Sequence, residues 1–525
     1  MTAASSSQTL KSIFIATAVV CAGAGVLLPL ADVGSVKVLA AVSGGALCLL
    51  LAFLSGNTRL FCLWGLMLTI PFDLSKRFGP IFLKMGGESS FRAELSDIFL
   101  LPLALYLARD IWTRRLGGLR VPKVTFIWML IMLMGCFTVL LGPWHMTAAQ
   151  EVVRMFKLMV LFLVICNELR RPLRVFHCAA ALTLAMVVQA IAGLIQYFTG
   201  AHFGLELLGE TGTIATESLM ETTERGAKVF RVGAFLSHPN VFGIFLAVLL
   251  PIAIGTFLLR VGKGYRLFFL SSASLGMAAL IVTLSRSGWV SFTAAFVLLM
   301  FLMVLHPGLR RRSIFAAVAA SGALVAVSLV FYNQIMARIF DSRASAMLGR
   351  EEYLRDAWGL ITAKPWLGWG LNSYVLAVPP FTQYGARMAN LHYKGWIPPV
   401  HNIYFLWWAE TGIVGLALHL AMLGTIFWVG LGNLRVNDKT LFTVNAACLG
   451  GVLALLVDGF FSFSLRFNSI LRVFWVLAGM IMAVHYWRLR QSAGDQSAQR
   501  APSPVVDPAL NRLRGGLPCD SPMHP

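Results

Sequence analysis

Long apolar runs alternate with short polar connections over most of the chain. Windows of roughly 20 apolar residues, enough to cross the hydrocarbon of a bilayer, recur about fourteen times. They fall at 12–30, 38–54, 60–72, 96–112, 124–142, 151–168, 175–199, 238–259, 267–284, 288–305, 314–333, 402–431, 440–460 and 470–487. Backbone groups in lipid must be satisfied within their own segment, so runs of this length predict helices. The fold class is therefore all-α and polytopic, with about 12–14 transmembrane helices. Lys11 ahead of the first run has the look of a secretion signal. No small-residue cleavage site and soluble mature chain follow it, so the run is expected to stay as the first helix.

Composition supports the pattern and removes alternatives. Hydrophobic residues make up 58% of the chain and charged residues 13%, with a mean hydropathy of +0.76. That balance puts more apolar surface on the chain than water tolerates. Net charge is +20 and the isoelectric point about 10.1, which in a soluble protein would suggest nucleic acid. Here the charges are scattered in ones, twos and threes between apolar runs, so no basic face follows a phosphate backbone and nucleic acid is excluded as a partner. Cys21, Cys48, Cys62, Cys136, Cys166, Cys178 and Cys448 lie in or beside apolar runs, and no C-x-x-C occurs. They read as small core residues.

Basic residues near helix ends give an orientation, because they are retained in the cytoplasm. Alternate connections hold Arg109, Arg114, Arg115, Arg120 and Lys123; Arg170, Arg171 and Arg174; Arg260, Lys263 and Arg266; Arg310, Arg311 and Arg312; and Arg435 with Lys439. All fall on one side, as do both termini. This predicts a multi-pass membrane protein with cytoplasmic ends. Residues 1–200 form the N-terminal helices, 201–432 a central region that includes the loop 334–401, 433–487 the C-terminal helices, and 488–525 a disordered cytoplasmic tail rich in Pro, Ser, Arg and Gly. The long connections 73–95, 200–237 and above all 334–401 lie on the opposite, outer side, where long loops carry function. The glutamates at 206, 210, 217, 221 and 224 read as a solvated acidic loop.

Within the largest loop, GREEYLRDAWGLITA at 349–363 reads as a helix that Lys364-Pro365 ends. Spacing puts Arg350, Leu354, Trp358 and Ile361 on one face, turned to the membrane. Three helices then begin on the outer side behind a basic or imidazole residue: Arg231 and His238 in RVGAFLSHPNVFG, Arg286 in LSRSGWV, and His401 in PPVHNIYF. Pro239 suits a first turn, and Ser287 and Asn402 are N-cap candidates. Helix N-termini with added arginines make an anion site, for which phosphate or pyrophosphate is the natural ligand. One arginine at a helix end merely snorkels; three such starts on one face carry more weight. Gly288, Gly368, Gly370, Gly412 and Gly415 read as packing positions. No nucleotide-binding loop and no metal-ligand spacing is present, so neither cofactor nor metal is expected.

RVGAFLSHPNVFG, SRSGW at 285–289, the GR before a tryptophan, KPWLGWGLNSY at 364–374 and HNIYFLWWAETGIVG at 401–415 together resemble the O-antigen ligase and Wzy-type polysaccharide polymerase superfamily, over about 230–420. The R-x3-L signature falls on Arg350 and Leu354, and H-[NSD]-x9-G-x2-[GTY] on His401, Asn402, Gly412 and Gly415. The resemblance implies a GT-C-like membrane glycosyltransferase. Its donor is an undecaprenyl-pyrophosphate-linked oligosaccharide, its acceptor a glycan or lipid A core, and polysaccharide assembly proteins are its potential partners. His401, Arg350 and Arg286 are then the catalytic candidates, with Arg231, His238, Asn240 and Asn402 binding substrate. Glu410 is expected to be structural, a partner inside the bundle. A polymerase is favoured over a ligase because no acceptor-specific feature is visible. A flippase is disfavoured because ionisable residues avoid the predicted helix centres, with Asp458 the main exception.

Overall fold

A computed structural model describes residues 55–82, 86–115, 118–204, 210, 220–222, 228–236, 238–259, 262–318, 322, 344–382 and 398–500. The expected spans 12–30 and 38–54, and most of 314–333, lie outside the described residues. The described chain is almost wholly helical: α1 Thr58–Thr69, α2 Asp97–Trp112, α3 Val124–Leu141, α4 His145–Glu168, α5 Pro172–Thr199, α6 Pro239–Phe257, α7 Lys263–Val282, α8 Arg286–Leu305, α9 Ala344–Ala363, α10 Ile403–Gly432, α11 Lys439–Asp458 and α12 Asn468–Arg500. Two antiparallel hairpins, β1 Ser75–Phe78 with β2 Phe91–Glu94 and β3 Met220–Thr222 with β4 Lys228–Phe230, complete it. Among the described residues eight segments are long and apolar enough to cross a membrane: α3, α5, α6, α7, α8, 403–435, α11 and 468–491. The protein is an all-α polytopic membrane protein. Helix α12 runs to Arg500, so residues 488–500 are helical where a disordered tail is expected; 501–525 lie outside the described residues.

Local chemistry sets where the helices begin. Asn57 caps α1 by accepting the Leu60 N–H (3.1 Å), and Asp438 caps α11 through the Leu441 N–H (2.8 Å). Proline opens α5 and α6, where its missing N–H costs nothing. Helix α6 is buried along nearly its whole length, packed by α5, α7, α8 and α11. The starts of α6 and α8 meet backbone to backbone: a Cβ on Gly288 would come 3.0 Å from the Gly243 carbonyl carbon.

Helix α10 is broken. Gly412 has φ 65° and ψ −174°, a backbone that favours glycine. The segment after α9 fills the break with hydrogen bonds of its own: Trp369 N–H to Ala409 O (3.1 Å), Gly370 N–H to Glu410 O (2.8 Å) and Ile413 N–H to Pro365 O (2.8 Å). Irregular backbone inside a bundle survives only when its polar groups are satisfied in this way. A Cβ on Gly412 would collide with the Trp366 carbonyl, and one on Gly368 with the Glu410 carbonyl.

The bundle also buries charge. Glu410 accepts both contacts from Arg466 Nη2 (2.9 Å each), and Arg466 lies beside Glu151, which pairs with Arg154. Arg154 reaches the Arg466 carbonyl (2.8 Å), Asn372 joins Arg466 to the Glu88 carbonyl, and Asn468 reaches Glu88. Glu410 is thus a partner inside the bundle, as expected. The rest of this network runs against the expectation that ionisable residues avoid helix interiors: α4 begins at His145, two turns earlier than its hydropathy suggests, so Glu151 and Arg154 sit well inside it.

Candidate active site

Helices α6, α8 and α10 start at one end of the bundle, and the starts are stitched together. Arg231 donates to Asn240 Oδ1 (2.8 Å) on the first turn of α6 and to the Thr283 and Leu284 carbonyls (3.3 and 3.4 Å) just ahead of α8. The two connections it joins hold non-glycine residues in the left-handed region, Ala234 at φ 49° and Leu284 at φ 52°. Such strain persists only where surroundings over-determine the backbone. Gln196 and Gln189 of α5 supply that support by accepting the Ala234 and Phe235 N–H groups (2.9 and 3.1 Å).

His238 is the N-cap of α6: its Nδ1 accepts the Asn240 N–H at 3.1 Å. In a neutral ring so engaged, Nε2 carries the proton and points a donor outward. His238 keeps an exposed surface amid dense surroundings. That environment, with the charges of Arg231 and His401, lowers its pKa to about 4.

His401 precedes the start of α10. Asn402 is spent on capping, its Oδ1 accepting the Tyr404 and Phe405 N–H groups (3.0 and 3.1 Å). The His401 ring stacks on Tyr353 of α9 (5.9 Å, 23°) and meets Phe463 edge-on (5.3 Å). Burial and the Arg350 charge lower its pKa to about 4, against a hydrogen bond to the Pro399 backbone. Its Nδ1 has no hydrogen-bond partner.

The ends of α10 and α11 meet here too. Ile403 N–H donates to Gly459 O (2.9 Å), and the Tyr404 hydroxyl to Leu456 O (2.6 Å). Asp458, at the end of α11 and 1% exposed, has the Ser287 and Ser464 hydroxyls near enough to act on its carboxyl, while its Oδ1 is buried without a hydrogen-bond partner. It therefore stands between the start of α8, where Arg286 is half-buried, and the start of α10.

Arg231 and His238 thus contact Asn240, and the charges of Arg231, His401 and Arg350 reach the neighbouring imidazoles; Asn402 adjoins His401 in the chain, and Arg286 stands at the joined start of α8. Three details differ from the sequence reading. Ser285, not Ser287, caps α8, accepting the Gly288 N–H at 3.3 Å. On α9 Ile361 packs into the protein with Asp356, Ala357 and Leu360, while Arg350, Leu354 and Trp358 stay on the outer surface, so the expected stripe is split. Packing of the following segment decides this, for Trp369 donates to Leu360 O (2.9 Å). Glu210 is buried, accepting from Gln196 (2.7 Å) and the Phe203 N–H (2.8 Å), and is no part of a solvated loop. Asp458 is the residue whose place the sequence did not disclose; its signal was a lone acid at the end of an apolar run. A separate small cleft, lined by Trp128, Glu151, Arg154, Trp407, His419 and Trp475 among others, includes none of the residues singled out from sequence. Among the described residues no group of three or more His, Cys, Asp or Glu is placed to hold a metal.

Comparison with curated proteins found no match for this chain. The protein-family model Wzy_C, described as O-antigen ligase, matches residues 267–420, which span most of α7, all of α8 and α9, and α10 past its break. Arg286, Arg350, His401 and Asn402 fall within the match; Arg231, His238, Asn240 and Asp458 fall outside it. Over these residues the chain is similar to the O-antigen ligase/Wzy-type superfamily, whose members act on lipid-linked glycans.

Proposed function

We propose that the protein transfers a glycan from undecaprenyl pyrophosphate to an acceptor hydroxyl at the periplasmic face of the inner membrane, and that it does so repeatedly, as a polysaccharide polymerase. The observation carrying this reading is the joined starts of three helices bearing Arg231, His238, Arg286 and His401, with Arg350 close enough to act on His401. A pyrophosphate leaving group needs no further activation, only cations and donors where its charge grows. Arg286 and Arg350 supply charge, Arg231 stands behind them, and His238 offers Nε2–H. His401, neutral, with its N–H on the Pro399 carbonyl and Nδ1 unpartnered, accepts the proton of the attacking hydroxyl. Direct displacement inverts the anomeric centre. Asp458 positions the first turn of α8 through Ser287.

Transfer to lipid A core, a ligase activity, is the second reading; the description of the matching family and the complete R-x3-L and H-[NSD]-x9-G-x2-[GTY] signatures favour it. Purified protein in nanodiscs, given only undecaprenyl-pyrophosphate oligosaccharide, lengthens it if it polymerises and leaves it unchanged until core acceptor is added if it ligates. Arg286→Ala, Arg350→Ala and His401→Ala each abolish product with expression unchanged. Wild-type yield from any one of them removes that residue from the site, and a product of retained configuration removes direct displacement.

A further inference from the structure

Helix α9 carries three acidic residues in its middle turns, and the structure treats them unequally. Glu351 lies on the exposed side and pairs with Arg355 one turn on (2.7 Å), a solvated pair of small energetic weight. Glu352 and Asp356, also one turn apart, face inward, and among the described residues no cation pairs with them. Asp356 is only 6% exposed. It accepts a hydrogen bond from the Thr382 hydroxyl, yet its Oδ2 is buried without any partner. Glu352 Oε2 is likewise buried and unpartnered. Burial holds the Asp356 carboxyl above the ordinary carboxylate range, and the neighbouring Glu352 charge pushes the same way. A buried acceptor left unmade costs stability, and these two sit side by side.

Their position gives the cost a use. Tyr353, between them in sequence, is the ring that stacks on His401. We infer that Glu352 and Asp356 form an acceptor-sugar subsite, in which two carboxylate oxygens take hydrogen bonds from hydroxyls of the incoming glycan and hold it beside His401. This rests on the transferase reading above and extends it to residues whose type neither signature specifies. Sugar hydroxyls are neutral donors that satisfy buried acceptors and bring no countercharge. A divalent cation is the other occupant two carboxylates suggest, but it demands six or more oxygen ligands for calcium, or near-octahedral geometry for magnesium. Among the described residues no third acidic or imidazole side chain joins the pair to begin such a shell.

The test uses the full-length protein in nanodiscs with undecaprenyl-pyrophosphate oligosaccharide as donor. The same oligosaccharide, freed from its lipid by mild acid, is the titrated acceptor. Glu352→Gln and Asp356→Asn keep shape while exchanging an acceptor oxygen for a donor. Each is expected to raise the acceptor KM at least tenfold, with kcat within about threefold and donor KM unchanged, and to melt no lower than wild type. An acceptor KM within twofold of wild type in both variants overturns the inference. So does a loss of kcat accompanied by an equal rise in both KM values, which marks a structural role.

Carbodiimide labelling of the two carboxylates, read by mass spectrometry, decides independently of turnover. Protection by the freed oligosaccharide supports the subsite. Protection by millimolar calcium or magnesium alone overturns it in favour of a cation site, and no protection overturns it outright. Wild-type protein that never transfers the glycan sinks the transferase reading, and the labelling result then stands on its own for or against a glycan site.

Discussion

At the residue scale, two imidazoles are held neutral in complementary roles. His238 gives its Nδ1 to the Asn240 N–H and is left a donor; His401 keeps Nδ1 without a partner and is left an acceptor. Both pKa values are lowered to about 4, so the folded chain disfavours their protonation. Above the ordinary histidine value near 6.5 neither state is charged and stability does not vary with them. As pH falls from about 6.5 towards 4 the unfolded chain gains protons first, and stability drops across that window. Thermal melting in detergent should therefore be level from pH 8 to 6.5 and decline below it, less steeply in a His238→Gln, His401→Gln double variant. A decline confined to higher pH would contradict the neutral assignment. Transfer activity should stay level down to about pH 5, because the accepting nitrogen is already deprotonated. Asp458→Asn keeps the shape that orders Ser287 but weakens its hold; turnover should fall on the order of 10²-fold with no loss of melting temperature, and unchanged turnover would detach Asp458 from the site. Arg231, Arg286 and His401 were legible in the sequence because each precedes an apolar run. Asp458 was not, since nothing local reveals that Gly459 receives the Ile403 N–H.

Among elements, α10 shows how far spacing alone reaches. The glycines of HNIYFLWWAETGIVG stood out in the sequence, but their reason lies in another segment: KPWLGWG crosses the helix at Gly412, and both backbones need the room. Gly412→Ala must hold a left-handed backbone and collide with the Trp366 carbonyl. It should cost at least about 2 kcal/mol and lower the melting temperature, whereas Gly424→Ala, with open space beside it, should not. Equal melting of the two variants would mean the break is not constrained. The departure of Ile361 from the expected α9 stripe has the same origin. The helix's residues suit more than one stripe, and the choice was made by Trp369 and Phe381 packing from beyond the helix.

For the whole molecule, the spans were the legible part, because the hydropathy of each is a local property that lipid requires. The buried charge network was not, since its members come from far apart: Arg154 meets residues 312 and 314 positions away, and Asn468 meets Glu88 across 380. Removing one partner leaves the other charged and alone. Arg466→Leu should destabilise by about 3–5 kcal/mol, and Arg466→Leu with Glu410→Leu should recover much of that loss. Guanidinium-free melting in nanodiscs measures both, and a double variant no better than the single would show that the pair does not act as a unit.

The filled break in α10 also bears on motion. Residues 365–370 and 409–414 share their backbone hydrogen bonds, so the large loop and the rod that carries His401 are clutched together and cannot slip past each other. Admission of a bulky lipid-linked chain must then swing both as one lever, and their amides should exchange deuterium in step, at a rate distinct from the deeper half of the same helix.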